Sequence, residues 1–375
     1  MAFDPTGRRR FARRLAAAIV LSLAAGTARA DVVIAVAGPL TGNFAALGED
    51  MRLGVAQAVA DINAAGGVNG EALRLEVMDD ACDAKTADAA ANQLAGKGVA
   101  MVVGHLCLGA STAASSVYAV NDIVQISPAT TFPGYTDARP GPGIFRLAGR
   151  DDQQGLIAGN FLATRYADRR IAIVDDNSVY GKGLADAARR AMNAAGKREE
   201  FSQTYEPGAE DYSDLVFRLK ASNVEVVFVG GYHADAAVIA RQMREQGMAT
   251  TIVAGDALMT EEFWQMAGDA GEGTRLTYAP DPRKSPAAAA VVASFRERGI
   301  EPEGPVLNAY AAVQVWAAAA ATAGSVAFDD VVAALNDGRF ETVLGEVSFD
   351  VKGDVDLPSF VFYEWKDGSY DYLQM

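Results

Sequence analysis

Five short segments of the chain carry the side chains that could take part in chemistry, and each follows a short apolar run. Two of them, "GHLCLGAST" (104–112) and "SPATT" (127–131), are neutral and rich in hydroxyls. The other three (175–181, 230–233 and 254–257) supply Tyr180, Tyr232 and Asp256. Hydroxyls and the free N–H groups of a helix starting near Ser111 suit a carboxylate, whereas an acid beside aromatic rings suits an ammonium. Together these segments predict a site for a zwitterion such as an α-amino acid.

The predicted elements place all five segments at comparable positions. Apolar runs at 32–37, 73–78, 99–103, 123–126, 171–174, 224–229 and 251–253 indicate buried parallel strands, and helical patterns at 45–64, 85–94, 111–120, 151–166, 181–195 and 233–246 alternate with them. This alternation predicts open α/β sheets in two similar sets. Ligands bind beyond the carboxyl ends of such strands. Taken singly, the hydroxyls are typical helix caps and turn residues, so only their joint placement favours a binding site.

Catalysis and metal binding find little support in the sequence. The motifs GxSxG, HExxH, GxxxxGK[ST] and GxGxxG are absent, and the chain has two histidines and no CxxC pair. Asp79 and Asp80 form an acid pair that is more typical of a turn or a helix cap than of catalysis. His105 adjoins an apolar Leu-Cys pair, which favours a core position, and His233 opens a helix. We therefore expect no catalytic residue, no metal and no cofactor.

The N-terminus has the pattern of an export signal. An arginine block between Arg8 and Arg14 precedes an apolar run at 15–25, and Ala28-Arg29-Ala30 offers a cleavage site, so residues 1–30 are predicted to be a signal peptide. The arginines leave both the general and the twin-arginine export routes open. Of 33 basic and 48 acidic residues, removal of this segment leaves 27 and 47, a formal charge of −20. Such a surface repels nucleic acid and anionic lipid. The uncharged stretch 305–327 is rich in alanine and is predicted to be a buried helix rather than a membrane span.

The two cysteines, Cys82 and Cys107, are predicted to form a disulfide because an exported chain meets an oxidising compartment. Two free, buried thiols remain the alternative at this level of reasoning. A zinc site is weaker still, since histidine and cysteine ligands are too few.

Several segments occur in the order found in one known family. They are "QAVADINAAGGVNG" (57–70), "DDACD" (79–83), "GHLC" (104–107), "RIAIVDD" (170–176), "YGKGLA" (180–185) and "VGGYH" (229–233). With these segments the mature chain resembles the periplasmic leucine/isoleucine/valine-binding proteins of ABC importers. The resemblance implies a type I periplasmic binding protein fold, an α/β architecture of two doubly wound lobes joined by three crossing segments and closing by hinge motion. It also implies the Cys82–Cys107 disulfide.

Under this resemblance we expect lobe 1 to comprise 31–149 and 279–355, and lobe 2 to comprise 150–278 and 356–375. The ligand-binding positions carried over from the family are Leu47, Leu108, Ala129, Thr130, Thr131, Tyr180, Tyr232 and Asp256. Ala129 and Thr131 match positions that bind the ligand carboxylate and ammonium, and Thr130 lies between them. Tyr180 and Tyr232 match aromatic residues of the second lobe, and Asp256 matches the acid that pairs with the ammonium.

Three departures from the family pattern bear on the ligand. Leu108 replaces a serine whose hydroxyl and N–H hold the carboxylate, so that Ser111 or Thr112 would have to supply the missing bond. Leu47 replaces an aromatic residue before Gly48, and Asp256 replaces a longer glutamate and is followed by Ala257 instead of glycine. One lost hydrogen bond to a charged group costs about 1.5–3 kcal/mol. These departures concern the identity of the ligand more than its class.

The resulting hypothesis is a monomeric, soluble periplasmic receptor that delivers an amino acid, branched-chain or otherwise apolar, to an ABC permease in the inner membrane. One alternative keeps the fold and binds an aromatic or aliphatic carboxylate without an amine, although Asp256 would repel such a ligand. A sensory ligand-binding domain is a second alternative. A secreted enzyme using Asp79, Asp80 or His105 is the third.

Overall fold

The computed structural model describes residues 31–42, 44–357 and 360–373, so the predicted signal peptide lies outside the described residues. The strands are β1 Val32–Gly38, β2 Leu73–Asp79, β3 Met101–Gly104, β4 Val124–Ser127, β5 Ile144–Arg146, β6 Ile171–Asp175, β7 Phe201–Thr204, β8 Val226–Gly230, β9 Thr251–Ala254, β10 Arg275–Tyr278, β11 Phe340–Thr342, β12 Gly345–Val347, β13 Val361–Lys366 and β14 Ser369–Tyr372. The α-helices are α1 Ala45–Ala64, α2 Ala84–Gly96, α3 Leu108–Val120, α4 Gly134–Asp137, α5 Asp151–Arg165, α6 Val179–Ala194, α7 Ser213–Ala221, α8 His233–Glu245, α9 Glu261–Ala267, α10 Ala289–Glu297, α11 Val306–Ala323 and α12 Phe328–Asp337.

Two large sheets organise these elements, and β11 and β12 form a small antiparallel sheet of their own. The first has five parallel strands in the order β2-β1-β3-β4-β5, and Val36 of β1 pairs with Val77 of β2 and Val103 of β3. The second has seven strands in the order β14-β13-β10-β9-β8-β6-β7, in which β13 pairs antiparallel with β10 and β14. Strands β3, β4, β6 and β8 are buried along their whole length, as their continuous apolar runs predict. The predicted α/β class is confirmed. The first sheet is parallel throughout, whereas the second is mixed, because β13 pairs antiparallel with both of its neighbours.

The chain passes between the two sheets three times. It leaves the first sheet after β5, returns after β10 to place α11 against α1, and crosses again between β12 and β13. The two large sheets with their helices are thus joined by three crossing segments, as the predicted architecture requires. The exact boundaries of the two lobes stay a prediction.

Helix α11 is the core helix of the first lobe. It is the one helix in the described part of the chain that is long and apolar enough to cross a membrane, and two-thirds of its apolar window is buried within the protein. Leu307 and Trp316 are fully buried. A Cβ atom on Gly54 would lie 2.1 Å from the carbonyl oxygen of Val306, so only glycine allows α1 to approach α11 this closely. The packing explains why an uncharged stretch rich in alanine belongs to a globular core.

Two helices begin earlier than their sequence patterns indicate. Helix α3 starts at Leu108 instead of near Ser111, because Cys107 is the last extended residue before it. Helix α6 starts at Val179 instead of Gly181, since the side chain of Ser178 caps the helix by accepting from the Gly181 N–H at 2.8 Å. Both shifts move a candidate binding residue, Leu108 or Tyr180, into the first turn of its helix.

The disulfide joins Cys82, in the loop after β2, to Cys107, directly before α3; their Cα atoms are 5.4 Å apart. The Cys82 N–H also donates to the carboxylate of Asp80 at 2.7 Å. The predicted pairing is confirmed, and it ties the end of β2 to the turn that leads into α3.

Removing this disulfide is expected to lower the free energy of unfolding by about 3.5 kcal/mol, because the open chain gains the entropy of an unclosed loop of 25 residues' separation. Urea unfolding of the mature protein with and without a thiol reductant measures the difference. The double variant Cys82→Ser/Cys107→Ser serves as the control, since the reductant should leave its unfolding midpoint unchanged. Equal midpoints for the oxidised and reduced wild type would contradict the prediction.

Candidate ligand-binding site

The candidate residues lie where the strand order of each sheet reverses. In the first sheet this point lies between β1 and β3, and in the second it lies between β6 and β8. Leu47 and Leu108 follow β1 and β3, Tyr180 and Tyr232 follow β6 and β8, and Asp256 follows the neighbouring β9. Crevices at such positions are the usual ligand sites of open α/β sheets. The topology therefore presents candidate residues from both sheets at their carboxyl ends.

On the side of the first sheet, three hydroxyls converge on one backbone carbonyl. Ser111, Ser127 and Thr130 donate to the carbonyl oxygen of His105 at 3.1, 2.8 and 3.3 Å. The hydroxyls of Ser111 and Thr130 are 2.5 Å apart, and both residues are at most 2% exposed. These hydroxyls hold the segment 127–131 against the turn before α3. These hydroxyls therefore already have hydrogen-bond partners within the protein.

The first turn of α3 has backbone N–H groups without partners inside the helix. The Ser111 N–H donates to the carbonyl oxygen of Cys107 at 2.8 Å, which leaves the N–H groups of residues 108–110 at the start of the helix. Leu108 and Ala129 are partly buried, whereas Thr112 is exposed. Of the two residues expected to replace the missing serine hydroxyl at position 108, Ser111 has its hydroxyl and its N–H engaged within the protein, and Thr112 is exposed. The helix N-terminus itself remains the group of this lobe that suits a carboxylate.

On the side of the second sheet, Asp256 is held in place by two neighbouring side chains. Its Oδ1 accepts from the Tyr180 hydroxyl at 2.7 Å and from Gln154 Nε2 at 3.0 Å. The rings of Tyr180 and Tyr232 have centroids 5.3 Å apart, and Tyr232 is 44% exposed. Burial and the nearby charge of Asp256 raise the pKa of Tyr180 well above its usual value, so the phenol stays a hydrogen-bond donor. The result is an oriented carboxylate beside two aromatic rings.

Thr131 connects the two sides. Its carbonyl oxygen accepts from the Asp151 N–H at 3.0 Å, and its hydroxyl acts to lower the pKa of the Asp151 carboxyl, which burial and the charge of Asp256 raise to about 7. Asp151, the first residue of α5, is 8% exposed and close enough to Asp256 for the two charges to interact. Gln154, three residues later on the same helix face, is fully buried and contacts Asp256.

Asp151 and Gln154 were not identified from the sequence. An acid in the first turn of a helix is commonly explained by the helix dipole, so the residue type of Asp151 did not indicate a binding role. Only its position, directly after the first predicted crossing segment, could have indicated one.

Leu47 takes part neither in the hydroxyl contacts around the His105 carbonyl nor in the contacts around Asp256. It lies in the first turn of α1, is 37% exposed, and packs beside Gly304, where an added Cβ would be 3.6 Å from its Cδ2. The carboxylate of Asp50 lies against the same glycine at 3.2 Å from that Cβ position. Leu47 therefore lines a wall formed by α1 and the loop before α11.

Asp79, Asp80 and His105 have structural partners within the protein. Asp79 accepts from the N–H groups of Leu40 and Ala81 at 2.8 and 2.9 Å. Asp80 Oδ2 lies 2.6 Å from His105 Nδ1, and both side chains are fully buried. His105 thus occupies the expected core position. The expectation of a solvated turn or a helix cap is wrong for Asp80, which is fully buried, because Asp83 is the residue that caps α2. Among the described residues, no group of three or more His, Cys, Asp or Glu side chains is arranged to hold a metal ion.

Gly255 controls the position of the Tyr180 hydroxyl. A Cβ on this residue would lie 2.5 Å from that oxygen and 2.4 Å from Leu184 Cδ2. Gly255→Ala is therefore expected to displace Tyr180 from Asp256 and to weaken ligand binding about tenfold, the equivalent of one hydrogen bond of about 1.4 kcal/mol. Calorimetric titration measures the change. Gly183→Ala is the matched control, since nothing lies within 4 Å of its Cβ position; equal affinities for both variants would contradict the prediction.

The comparisons with known proteins agree with this fold. Residues 31–369 match the sequence family described as periplasmic binding protein. Leu/Ile/Val-binding protein homolog 2 of Brucella abortus is 42% identical over 353 residues, which cover 93% of this chain and 95% of that protein. An amino acid binding protein of Pseudomonas aeruginosa is 43% identical over 352 residues, which cover 92% and 93%. The crystal structure of a leucine binding protein from Thermotoga maritima superposes with a TM-score of 0.79 at 25% identity, covering 92% of this chain and 98% of that one. The chain therefore belongs to the periplasmic binding protein family.

Proposed function

We propose that the protein is a periplasmic receptor that binds an apolar amino acid, branched-chain in the first instance, and delivers it to an ABC permease. The observation that carries this proposal is the Asp256 carboxylate, which Tyr180 and Gln154 orient at the carboxyl end of β9. A fixed carboxylate on one side and a free helix N-terminus on the other match the two charges of an amino acid. The names of the relatives, which refer to leucine, isoleucine, valine or amino acids, support the same ligand class. Family membership agrees with a binding protein and not an enzyme.

Each candidate residue receives one role in this proposal. Asp256 and the Thr131 hydroxyl bind the ammonium, and the N–H groups of Leu108 and Ala129 bind the carboxylate. The Ala129 N–H is only weakly bonded to Ser127 Oγ, at 3.4 Å, whereas the Thr130 N–H is engaged by the same oxygen at 3.0 Å. Thr130 supports this segment through its buried hydroxyl. Tyr180, Tyr232 and Leu47 surround the ligand side chain. Because an apolar side chain leaves no buried polar group unpaired against such a wall, an apolar amino acid fits best.

The remaining parts of the proposal concern the whole molecule. The two lobes comprise 31–149 with 279–355 and 150–278 with 356–375, and they close on the ligand by motion at the crossing segments. Residues 1–30 are removed on export, and the mature chain is a monomer. The family supports the periplasmic location, and the relatives support an importer as partner.

Calorimetric titration of the mature chain tests the proposal. The chain from residue 31 onward is unfolded and refolded to remove carried-over ligand, and then titrated with Leu, Ile, Val, Ala, Phe and their amine-free 2-oxo acids. We expect saturable binding of an amino acid and none of its amine-free partner. Binding of the acids alone would keep the fold and overturn the ligand class.

A further inference from the structure

The start of the second crossing segment is fastened to the second sheet. The Asp281 N–H donates to the Tyr372 hydroxyl of β14 at 2.9 Å. Lys284 Nζ donates to Asp371 Oδ1 at 2.6 Å and lies 4.2 Å from the centre of the Tyr372 ring. Residues 281–284 therefore keep their position relative to β14, which is an edge strand of the second sheet.

A loop of the first lobe lies beside this segment and supports the wall of the ligand site. It comprises residues 301–304, just before α11, and we call it the α11 loop. A Cβ on Gly304 of this loop would lie 3.6 Å from Leu47 Cδ2 and 3.2 Å from Asp50 Oδ2. A displacement of the α11 loop would therefore also displace the support of the Leu47 side chain.

Arg283 connects the crossing segment to the α11 loop. Its Nη2 lies 2.9 Å from Oδ2 of Asp281, and its Nε lies 3.0 Å from Oδ1 of the same carboxylate. Its Nη1 donates to Glu303 at 2.7 Å and to Glu301 at 3.2 Å. One guanidinium thus pairs with an acid that is fastened to the second sheet and with two acids of the first lobe.

Burial and geometry distinguish this network from an ordinary surface ion pair. Isolated exposed pairs contribute little, whereas a bidentate guanidinium within a network of several charges contributes more. The side chains of Arg283 and Asp281 are only 18% and 10% exposed. Arg296 also pairs with Glu301, at 2.7 Å, but it lies in α10, whose Val292 packs into the core of the first lobe. Arg296 therefore holds the α11 loop within its own lobe, and Arg283 connects it to the crossing segment.

Negative charges surround the α11 loop. Burial and the charges of Glu303 and Glu49 raise the pKa of Asp50 to about 6, which shows that these carboxylates are close enough to repel one another. Removal of the Arg283 charge would leave Glu303 repelled by Asp50 and by Asp281 without a shared counter-charge. The α11 loop would then move away from the crossing segment.

We propose that Arg283 is a positioning residue of the ligand site, which fixes the Leu47 wall by tying the α11 loop to the second crossing segment. Arg283 acts through the loop and has no contact with the ligand. A wall that is held in place before binding loses less conformational freedom when the ligand arrives, so affinity rises. The inference deepens the proposed function and rests on it, since the ligand side chain is taken to lie against Leu47.

Calorimetric titration of the refolded mature chain with L-leucine tests the inference. Arg283→Gln is expected to weaken leucine binding about tenfold, because the loop and its wall must be ordered again on binding. Arg296→Gln is the matched control: it removes a guanidinium from Glu301 within the first lobe and should change the affinity by less than about twofold. Equal affinities of the wild type and Arg283→Gln would overturn the inference and leave the proposed function intact.

A double-mutant cycle separates positioning of the wall from general damage to the protein. In a Leu47→Ala background the wall is already lost, so Arg283→Gln should change leucine affinity by less than about twofold there. A tenfold loss that persists in this background would contradict action through Leu47.

A second variant keeps the test decisive if Arg283→Gln does not fold. Glu301→Gln/Glu303→Gln removes the same ion pairs from the loop and leaves Arg283 its partner Asp281. Leucine binding should weaken about threefold, and unchanged affinity would count against the inference. Failure of every amino acid in the panel to bind the wild type would reject the proposed function and this inference together.

Discussion

Asp256→Ala is expected to weaken amino acid binding about 100-fold or more, the largest effect of any single substitution in the candidate site. A charge-assisted hydrogen bond to a buried ammonium contributes about 1.5–3 kcal/mol. The substitution also leaves the Tyr180 hydroxyl and the Gln154 amide without their acceptor, which adds the cost of unpaired polar groups. Calorimetric titration with L-leucine measures the loss.

Two controls separate recognition of the ammonium from damage to the lobe. Asp269→Ala removes an exposed acid of the same lobe and should bind leucine as the wild type does. The amine-free acid 2-oxoisocaproate, for which no binding to the wild type is expected, should bind Asp256→Ala at least as well as the wild type, because the substitution removes the carboxylate that repels it. Unchanged leucine affinity in Asp256→Ala would contradict both the role of this residue and the amino acid ligand.

The architecture could be predicted from the sequence because it depends on local patterns. Continuous apolar runs such as that of β8 are buried on both faces of a parallel sheet, and helices with apolar stripes must alternate with them. The strand ends then place Tyr180, Tyr232 and Asp256 on one sheet without knowledge of any distance. Sequence patterns can therefore identify the site residues that lie near these strand ends.

Other features depend on contacts between distant segments. Ser111 would suit a ligand by its residue type, yet the carbonyl of His105 and the hydroxyl of Thr130 already engage it. The orientation of Asp256 depends on its contact with Gln154, 102 positions earlier. Neither fact leaves a trace in periodicity or spacing. Hydrogen-bond availability, more than residue type, distinguishes a ligand-binding group from a structural one.

A buried ion network at the crossing segments also depends on contacts between residues that are distant in the sequence. Asp354, between β12 and β13, accepts from Arg146 Nε and Thr136 Oγ1 at 2.6 Å each and from Arg150 Nη1 at 2.8 Å. Arg146 ends β5 and Arg150 directly precedes α5, so the network ties the first crossing to the third across 208 positions. Although burial favours the neutral acid, the bond from Thr136 and the charges of Arg146 and Arg150 hold the pKa of Asp354 below its usual value. Its contribution to stability is therefore present at neutral pH and lost as the pH falls below about 4.

Asp354→Ala is expected to lower the free energy of unfolding by about 3–5 kcal/mol, because it leaves the guanidinium of Arg146 buried without its counter-ion. Urea unfolding at pH 7 measures the loss, and Asp356→Ala, an exposed acid of the same segment, should change stability by less than about 0.5 kcal/mol. The difference between wild type and Asp354→Ala should shrink as the pH is lowered, since protonation removes the same charge from the wild type. A difference that stays constant down to pH 3 would show that lost packing, rather than the ion network, accounts for the effect. Because the network joins two of the three crossings, the loss of its charge should weaken the packing of both crossing segments together.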